Sequence, residues 1–168
     1  NLVRLLPKSF PVLATTATAT PRVQADIIEQ AGSDLIPLRG QLLRPNLRLF
    51  VIQVNNEDEK FCWLAEHFHK LPKTGIIYTG TQANTDIYSN WLQFLNFKSA
   101  AYSGRLDAES RVRIEKAFLT NEYDCVVSTN ALGMGIDKPD IRFIIHTQIP
   151  QSPIHYYQEI GRSGRDGQ

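Results

Sequence analysis

Two cysteines, one methionine and two tryptophans are all that this 168-residue chain holds of its rarest residue types. Cys62 and Cys125 stand far apart with no histidine at zinc-ligand spacing, so neither a disulfide framework nor a structural zinc is indicated. No apolar run approaches the roughly 18 residues of a membrane-spanning helix, and no basic-then-apolar leader opens the sequence. Charge of one sign is also missing. With 18 Lys and Arg against 17 Asp and Glu, the formal net charge is +1, which excludes a polybasic binder but permits a local basic patch. The expectation is a soluble protein without membrane partners, in the cytoplasm, or in the nucleus if the source is eukaryotic. Met134 is the only methionine, and the run from Gly161 to Gln168 is polar and glycine-rich without a closing element. The sequence therefore reads as a piece of a longer protein.

What is present is enough apolar side chain, 42% of the total, to build a core. Short β-branched runs alternate with segments of helical period. Strands are expected at Pro11–Ala17, Leu47–Val54, Gly75–Thr79, Ala100–Ser103, Cys125–Thr129 and Phe143–His146. Between them, helices are expected from Thr20-Pro21 to Gly32, Glu57–Leu71, Gln82–Leu95, Asp107–Leu119 and from Ser152-Pro153 onward. Thr20-Pro21, Asp107 and Ser152-Pro153 are start signals for three of them, and Glu57–Leu71 carries Phe61, Leu64, Ala65 and Phe68 at i, i+3, i+4, i+7. Runs such as Cys125-Val126-Val127 and Phe143-Ile144-Ile145 are apolar on both faces, which suits a mainly parallel sheet covered by helices on both sides. Arg39 to Arg48, with Gly40 and Pro45, reads as a linker. Residues 1–40 are thus expected to be the tail of one domain and 41–168 a second. In open parallel sheets, ligands sit beyond the carboxyl ends of the strands, so the residues that follow each strand carry the interest.

Three runs stand out there. Tyr156 to Gly167 ends in Gly161-Arg162-Ser163-Gly164-Arg165-Asp166-Gly167, where two arginines three apart are spaced by glycines. Guanidinium forks suit phosphate oxygens, yet a solvated helix end accounts equally well for these residue types. Val126 to Asp140 delivers Ser128, Thr129 and Asn130 from a buried strand, then Gly133-Met134-Gly135, then Asp137. Hydroxyls and loop N–H groups can take a phosphate and an Asp can accept from a sugar hydroxyl; the bland alternative is an ordinary strand-to-helix turn. Ala14 to Pro21 is a run of small and hydroxylated residues that serves close packing, or simply a cap.

Together, in this order and wording, the runs resemble the RecQ family of superfamily 2 DNA helicases. Thr16-Ala17-Thr18-Ala19 is similar to that family's motif III, Gly75-Ile76-Ile77-Tyr78 to motif IV, Ala131–Asp140 to motif V and Tyr156–Gly167 to motif VI. Arg44-Pro45-Asn46-Leu47 is similar to the opening of its second domain. The resemblance implies a RecA-like three-layer α/β sandwich and a 3′-to-5′ motor that uses ATP and Mg²⁺, with the nucleotide in a cleft between two RecA-like domains. It implies that Arg165 is the arginine finger, Arg162 a second γ-phosphate ligand and Gln158 a sensor of nucleotide state. Asp137 and Gly135 would lie at the nucleotide. Thr129, Asn130, Thr81 and Arg105 would contact single-stranded DNA, and Thr16 and Thr18 would couple the two sites. Partners implied are single-stranded DNA, duplex junctions and the first RecA-like domain of the same chain.

Departures from the family pattern are local: Thr81-Gln82 replaces Ser-Arg after motif IV, Ser103-Gly104-Arg105 replaces His-Ala-Gly, and Thr15 replaces an apolar residue. The phosphate-cradling Gly-x-x-x-x-Gly-Lys-Ser/Thr occurs nowhere. Asp58-Glu59-Lys60-Phe61 only superficially resembles the Mg²⁺-binding Asp-Glu-x-His and reads as acids in a first helical turn. Both motifs belong to the family's first domain, and its zinc-binding and winged-helix regions would lie beyond Gln168. The chain alone is therefore expected to be inactive. Rival readings are a DEAD-box RNA helicase domain, against which Tyr157-Gln158-Glu159-Ile160-Gly161 departs from the usual His-Arg-Ile-Gly, and a non-catalytic DNA-binding module. His67 and His69 are too close to share a helix face, His146 and His155 have no evident partners, and Trp63 and Trp91 read as packing. Both cysteines are expected in or near the core.

Overall fold

The computed structural model describes residues 5–7, 10–16, 19–32, 35–40, 44–133 and 136–168. Thr18 and Gly135, two of the candidate site residues, lie outside the described residues, as do Ala17 and Met134. The chain forms two compact units, Asn1–Arg44 and Pro45–Gln168.

Among its described residues the first unit holds one α-helix, α1 (Pro21–Ala31). Thr20 caps it, its hydroxyl accepting from the Val23 N–H at 3.3 Å, with proline at the first helical position. Gly32, at φ 109°, ends it. None of the helix's residues is buried. The strand expected at Pro11–Ala17 does not form over residues 11–16, and the one expected at Leu47–Val54 in the second unit does not form either. The reason is the same for both. A strand exists only where a neighbour supplies the other half of its hydrogen-bond ladder, and no described residue pairs with either segment. Val51 is consequently 99% exposed and Phe50 79%.

In the second unit, α2 (Glu57–His67) passes through a short 3₁₀ turn (Phe68–Lys70) into β1 (Gly75–Tyr78). Then come α3 (Gln82–Phe94), β2 (Ser99–Tyr102), α4 (Ala108–Leu119), β3 (Cys125–Ser128), β4 (Phe143–His146) and α5 (Pro153–Ile160). The four strands make one parallel sheet in the order β2-β3-β1-β4, with Ile76 opposite both Val126 and Ile144. Helix α2 is shorter than its apolar period because Pro72 forces Leu71 into extended backbone, at ψ 146°. Asp58 and Glu59 lie in its first turn. Asn56 caps the Glu59 N–H at 2.9 Å, and the Glu59 carboxylate in turn takes the Asn55 N–H at 2.8 Å.

Alternation along each strand feeds two cores. On one face Ile76, Tyr78, Ala100, Tyr102 and Val126 pack with Ile114 and Phe118 of α4; on the other, Ile77, Cys125 and Val127 pack with Leu64, Tyr88 and Leu92 of α2 and α3. This is a RecA-like three-layer α/β sandwich. Phe143 lies so close over Gly75 that a Cβ there would meet its ring at 2.2 Å, so glycine at this position makes room for the ring.

The two cysteines part company. Cys125 is buried on β3, and burial pushes its thiol pKa well above the ordinary value. Cys62 is exposed, contrary to expectation, because it lies about 100° round α2 from the inward stripe of Phe61, Leu64 and Phe68. A thiol reagent is expected to label Cys62 in the native protein and Cys125 only after denaturation. Peptide mapping by mass spectrometry checks this, and native labelling of Cys125 would contradict the burial.

Candidate nucleotide and nucleic-acid interface

The parallel sheet gathers one set of candidate residues at one end. Thr81 is three residues past β1, Arg105 three past β2, and Thr129 and Asn130 directly past β3. Thr79, Gly80, Thr129, Asn130, Gln148 and His155 line a small cavity of about 80 Å³ at the carboxyl ends of β1, β3 and β4. Enclosing a small molecule takes roughly 300 Å³ or more, so this recess can receive a phosphate or an edge of backbone but not a nucleotide. The Thr81 hydroxyl accepts from the Asn84 N–H at 3.1 Å and so caps α3. Thr129 behaves similarly, its hydroxyl accepting from the Ala131 N–H at 3.3 Å. Both hydroxyls retain a proton to donate to an anion. Arg105 is exposed in the loop after β2, beside the start of α3: a Cβ built on Gly104 would lie 3.6 Å from the Gln82 amide.

The second set sits on α5 and the turn that follows it. Ser152 caps α5 through the His155 N–H at 3.2 Å. The helix is fastened to the sheet by His146, whose ring stacks on Tyr78 with centroids 5.4 Å apart and hydrogen-bonds Glu159 at 2.7 Å. Tyr156 packs on the same imidazole at 5.3 Å. Burial raises the Tyr78 phenol to about 12, against the lowering effect of the positive charge on Arg162, and with Glu159 adding to the rise. Arg162 is therefore held near the sheet, half-buried, while Gln158 is exposed on α5. Arg165 reaches from the turn to Asp137, its Nη1 donating to Oδ1 at 2.8 Å. Sequence separation of 28 residues gave no hint of this pair, and it brings together two of the expected nucleotide contacts. Asp137 is 87% exposed, so the pair faces solvent.

Sequence reasoning missed several groups. His146 was expected to be without a partner, yet it anchors α5 through Glu159. Lys138 is only 2% exposed, with its ammonium on Asp140 at 2.9 Å, Asn121 at 2.7 Å and the Leu119 carbonyl at 3.3 Å. Asn46, Arg142 and Asp166 hold the arginine-bearing turn. The Asn46 in Arg44-Pro45-Asn46-Leu47 was a visible signal, while the others needed three dimensions. Trp63 and Trp91 pack as expected: Trp63 stacks on His67 at 4.8 Å and Trp91 donates to the Phe61 carbonyl at 3.2 Å. Among the described residues, no group of three or more His, Cys, Asp or Glu gathers as metal ligands would, and no helix is long and apolar enough to cross a membrane.

Residues 59–167 match the family of the helicase conserved C-terminal domain. The chain is 37% identical over 169 residues to the ATP-dependent DNA helicase RecQ of Bacillus subtilis, covering 99% of this chain and 28% of that protein. It is a RecA-like helicase C-terminal domain, related to the RecQ branch of superfamily 2. The ATP-dependent DNA helicase Q-like 4B of Arabidopsis thaliana is 38% identical over 165 residues, covering 95% of this chain and 14% of that protein. This helicase domain thus spans 28% and 14% of those two relatives' lengths. Among solved structures, a DEAD box protein from Methanococcus jannaschii matches at a TM-score of 0.69 and 25% identity, over 89% of this chain and 41% of that one. S. cerevisiae Dbp5 bound to RNA and ADP BeF3 matches at 0.80 and 22% identity, over 99% of this chain and 45% of that one. The latter likeness is one of fold.

Proposed function

We propose that this chain is the second wall of an ATP-dependent DNA motor of the RecQ type. In this reading residues 41–168 are the second RecA-like domain, and residues 1–40 are the tail of the first, carrying Thr16 and Thr18 as coupling residues. ATP and Mg²⁺ are held mainly by the first domain. The observation that carries the reading is the arrangement of Arg162 and Arg165 on one turn: Arg162 is set against the sheet, and Arg165 is held by the exposed carboxylate of Asp137 and a long hydrogen bond from its Nε to the Gly161 carbonyl at 3.4 Å. Two guanidinium groups so placed suit a γ-phosphate, with Arg165 as the finger, Asp137 and Gly135 near the nucleotide, and exposed Gln158 as the sensor. Thr81, Arg105, Thr129 and Asn130 form the DNA track along the strand ends. The motor closes on ATP, hydrolyses it, reopens and steps 3′ to 5′ along one strand, separating duplex junctions during replication, recombination or repair.

The test is ATP hydrolysis by the complete protein without nucleic acid, with single-stranded DNA and with RNA. Stimulation by DNA is expected. Stimulation by RNA alone would favour an RNA helicase, and stimulation by neither would leave a binding module. This chain alone, without a P-loop, is expected to show no Mg²⁺-dependent turnover.

A further inference from the structure

The turn Gly161–Gln168 carries both arginines but belongs to no sheet, so something else must set its shape. Its own backbone supplies part of the answer: the Gly164 N–H donates to the Ile141 carbonyl at 2.8 Å, and the Arg165 N–H to the Pro139 carbonyl at 3.1 Å. The rest comes from two side chains outside the turn. The Asn46 amide donates to the Gly164 carbonyl at 2.9 Å and to the Gln168 carbonyl at 3.0 Å, across 118 residues of sequence in the first case. One NH₂ group thereby ties the two ends of a short loop. Gly164 sits at φ +59°, and a Cβ there would meet the Asn46 nitrogen at 2.6 Å, so the glycine is needed both for its backbone angle and for Asn46 to approach. On the other side, Arg142 grips the Asp166 carboxylate with both terminal nitrogens, the first at 2.8 Å. That hydrogen bond, chiefly, holds the Asp166 carboxyl down at about 2.

We infer that Asn46 and the Arg142–Asp166 pair are positioning residues for the reaction: they form a clamp that presents Arg165 at a fixed place beyond the turn. Asn46 contacts the turn's backbone, and Arg142 contacts its Asp166 side chain and the Gln168 carbonyl. Their effect passes through the backbone between Gly164 and Asp166, where a displacement of an ångström matters about a hundredfold in rate. The inference rests on the finger reading of Arg165.

The experiment uses the complete motor and measures DNA-stimulated kcat, the KM for ATP and the thermal midpoint. Asn46→Asp keeps the size but replaces the donor with an oxygen facing two carbonyls. It is expected to lower kcat by about 10–100-fold with KM for ATP nearly unchanged. In an Arg165→Ala background the same change is expected to cost less than about twofold, because the group it positions is already gone. Arg142→Asp is expected to lower kcat likewise, and the exchange Arg142→Asp with Asp166→Arg to restore part of it, which keeps the test open should Asn46→Asp fail to fold. An undiminished kcat in Asn46→Asp, or an equal loss with and without Arg165, would overturn the clamp while leaving the finger standing. Full turnover in Arg165→Ala would instead remove the finger reading, and the clamp with it.

Discussion

Arg165→Ala in the complete motor is expected to lower the DNA-stimulated kcat by about 10³–10⁵, the range an arginine finger supplies in phosphoryl transfer. In free energy that is about 4–7 kcal/mol of transition-state stabilisation. The native contacts of Arg165 cannot account for a loss of that size by unfolding. Its ion pair with Asp137 is solvent-facing, and exposed pairs contribute about 0–1 kcal/mol. Stability of the variant should therefore match the wild type, and a loss in kcat with KM for ATP little changed would mark an interaction made only in the transition state. Arg165→Lys keeps the charge but not the planar fork and should recover only a small part of the rate. Arg162→Ala should behave differently. Arg162 lies beside the buried Tyr78 phenol, so its removal disturbs the packing of α5 as well as the phosphate contact. A fall of less than tenfold in Arg165→Ala would remove the finger assignment.

Much of the second unit was legible because its local signals and tertiary demands agree. Phe143–His146 and the caps Asp107 and Ser152 stand where their side-chain chemistry puts them. The failures share a cause. Residues 11–16 and Leu47–Val54 carry strand-forming side chains, but strand formation is decided by a neighbour that periodicity does not reveal. The site divides in the same way. The strand-end positions of Thr81, Arg105, Thr129 and Asn130 follow from the parallel-sheet rule, whereas their assignment to DNA comes from the family resemblance. The Arg165–Asp137 pair, the His146–Glu159 anchor and the Asn46 bridge join residues 28, 13 and 118 apart, and no spacing rule reaches across those distances.

Asp140→Ala is expected to destabilise the domain by about 1–3 kcal/mol, because it takes from the buried Lys138 ammonium a carboxylate that is itself one-third exposed. Lys138 has little alternative. Its ammonium is 2% exposed and lies 5.5 Å over the Phe118 ring, and without Asp140 only Asn121 and the Leu119 carbonyl would remain to satisfy it. Asn121 in turn accepts from the Thr74 hydroxyl at 2.9 Å, and the Thr74 carbonyl accepts from the Arg142 N–H at 2.8 Å. The buried ammonium therefore ties the end of α4 to the approach to β4, and its partner Asp140 stands between Pro139 and Ile141, whose carbonyls receive the arginine turn. The pH dependence has a definite sign. Burial raises the Asp140 carboxyl, but hydrogen bonds from Lys138 and Asn121 outweigh it and leave the pKa below its ordinary value. A carboxylate lowered in the folded state contributes stability above its unfolded pKa of about 3.9 and loses it as the pH falls through the folded value. Denaturant unfolding of wild type and Asp140→Ala at neutral pH and at pH 3 should accordingly give a difference that shrinks on acidification. Lys138→Met removes the charge and keeps the stem, and should cost less than Asp140→Ala because it buries no unpaired ion. The opposite order would mean that Lys138 is held by packing and not by its charge.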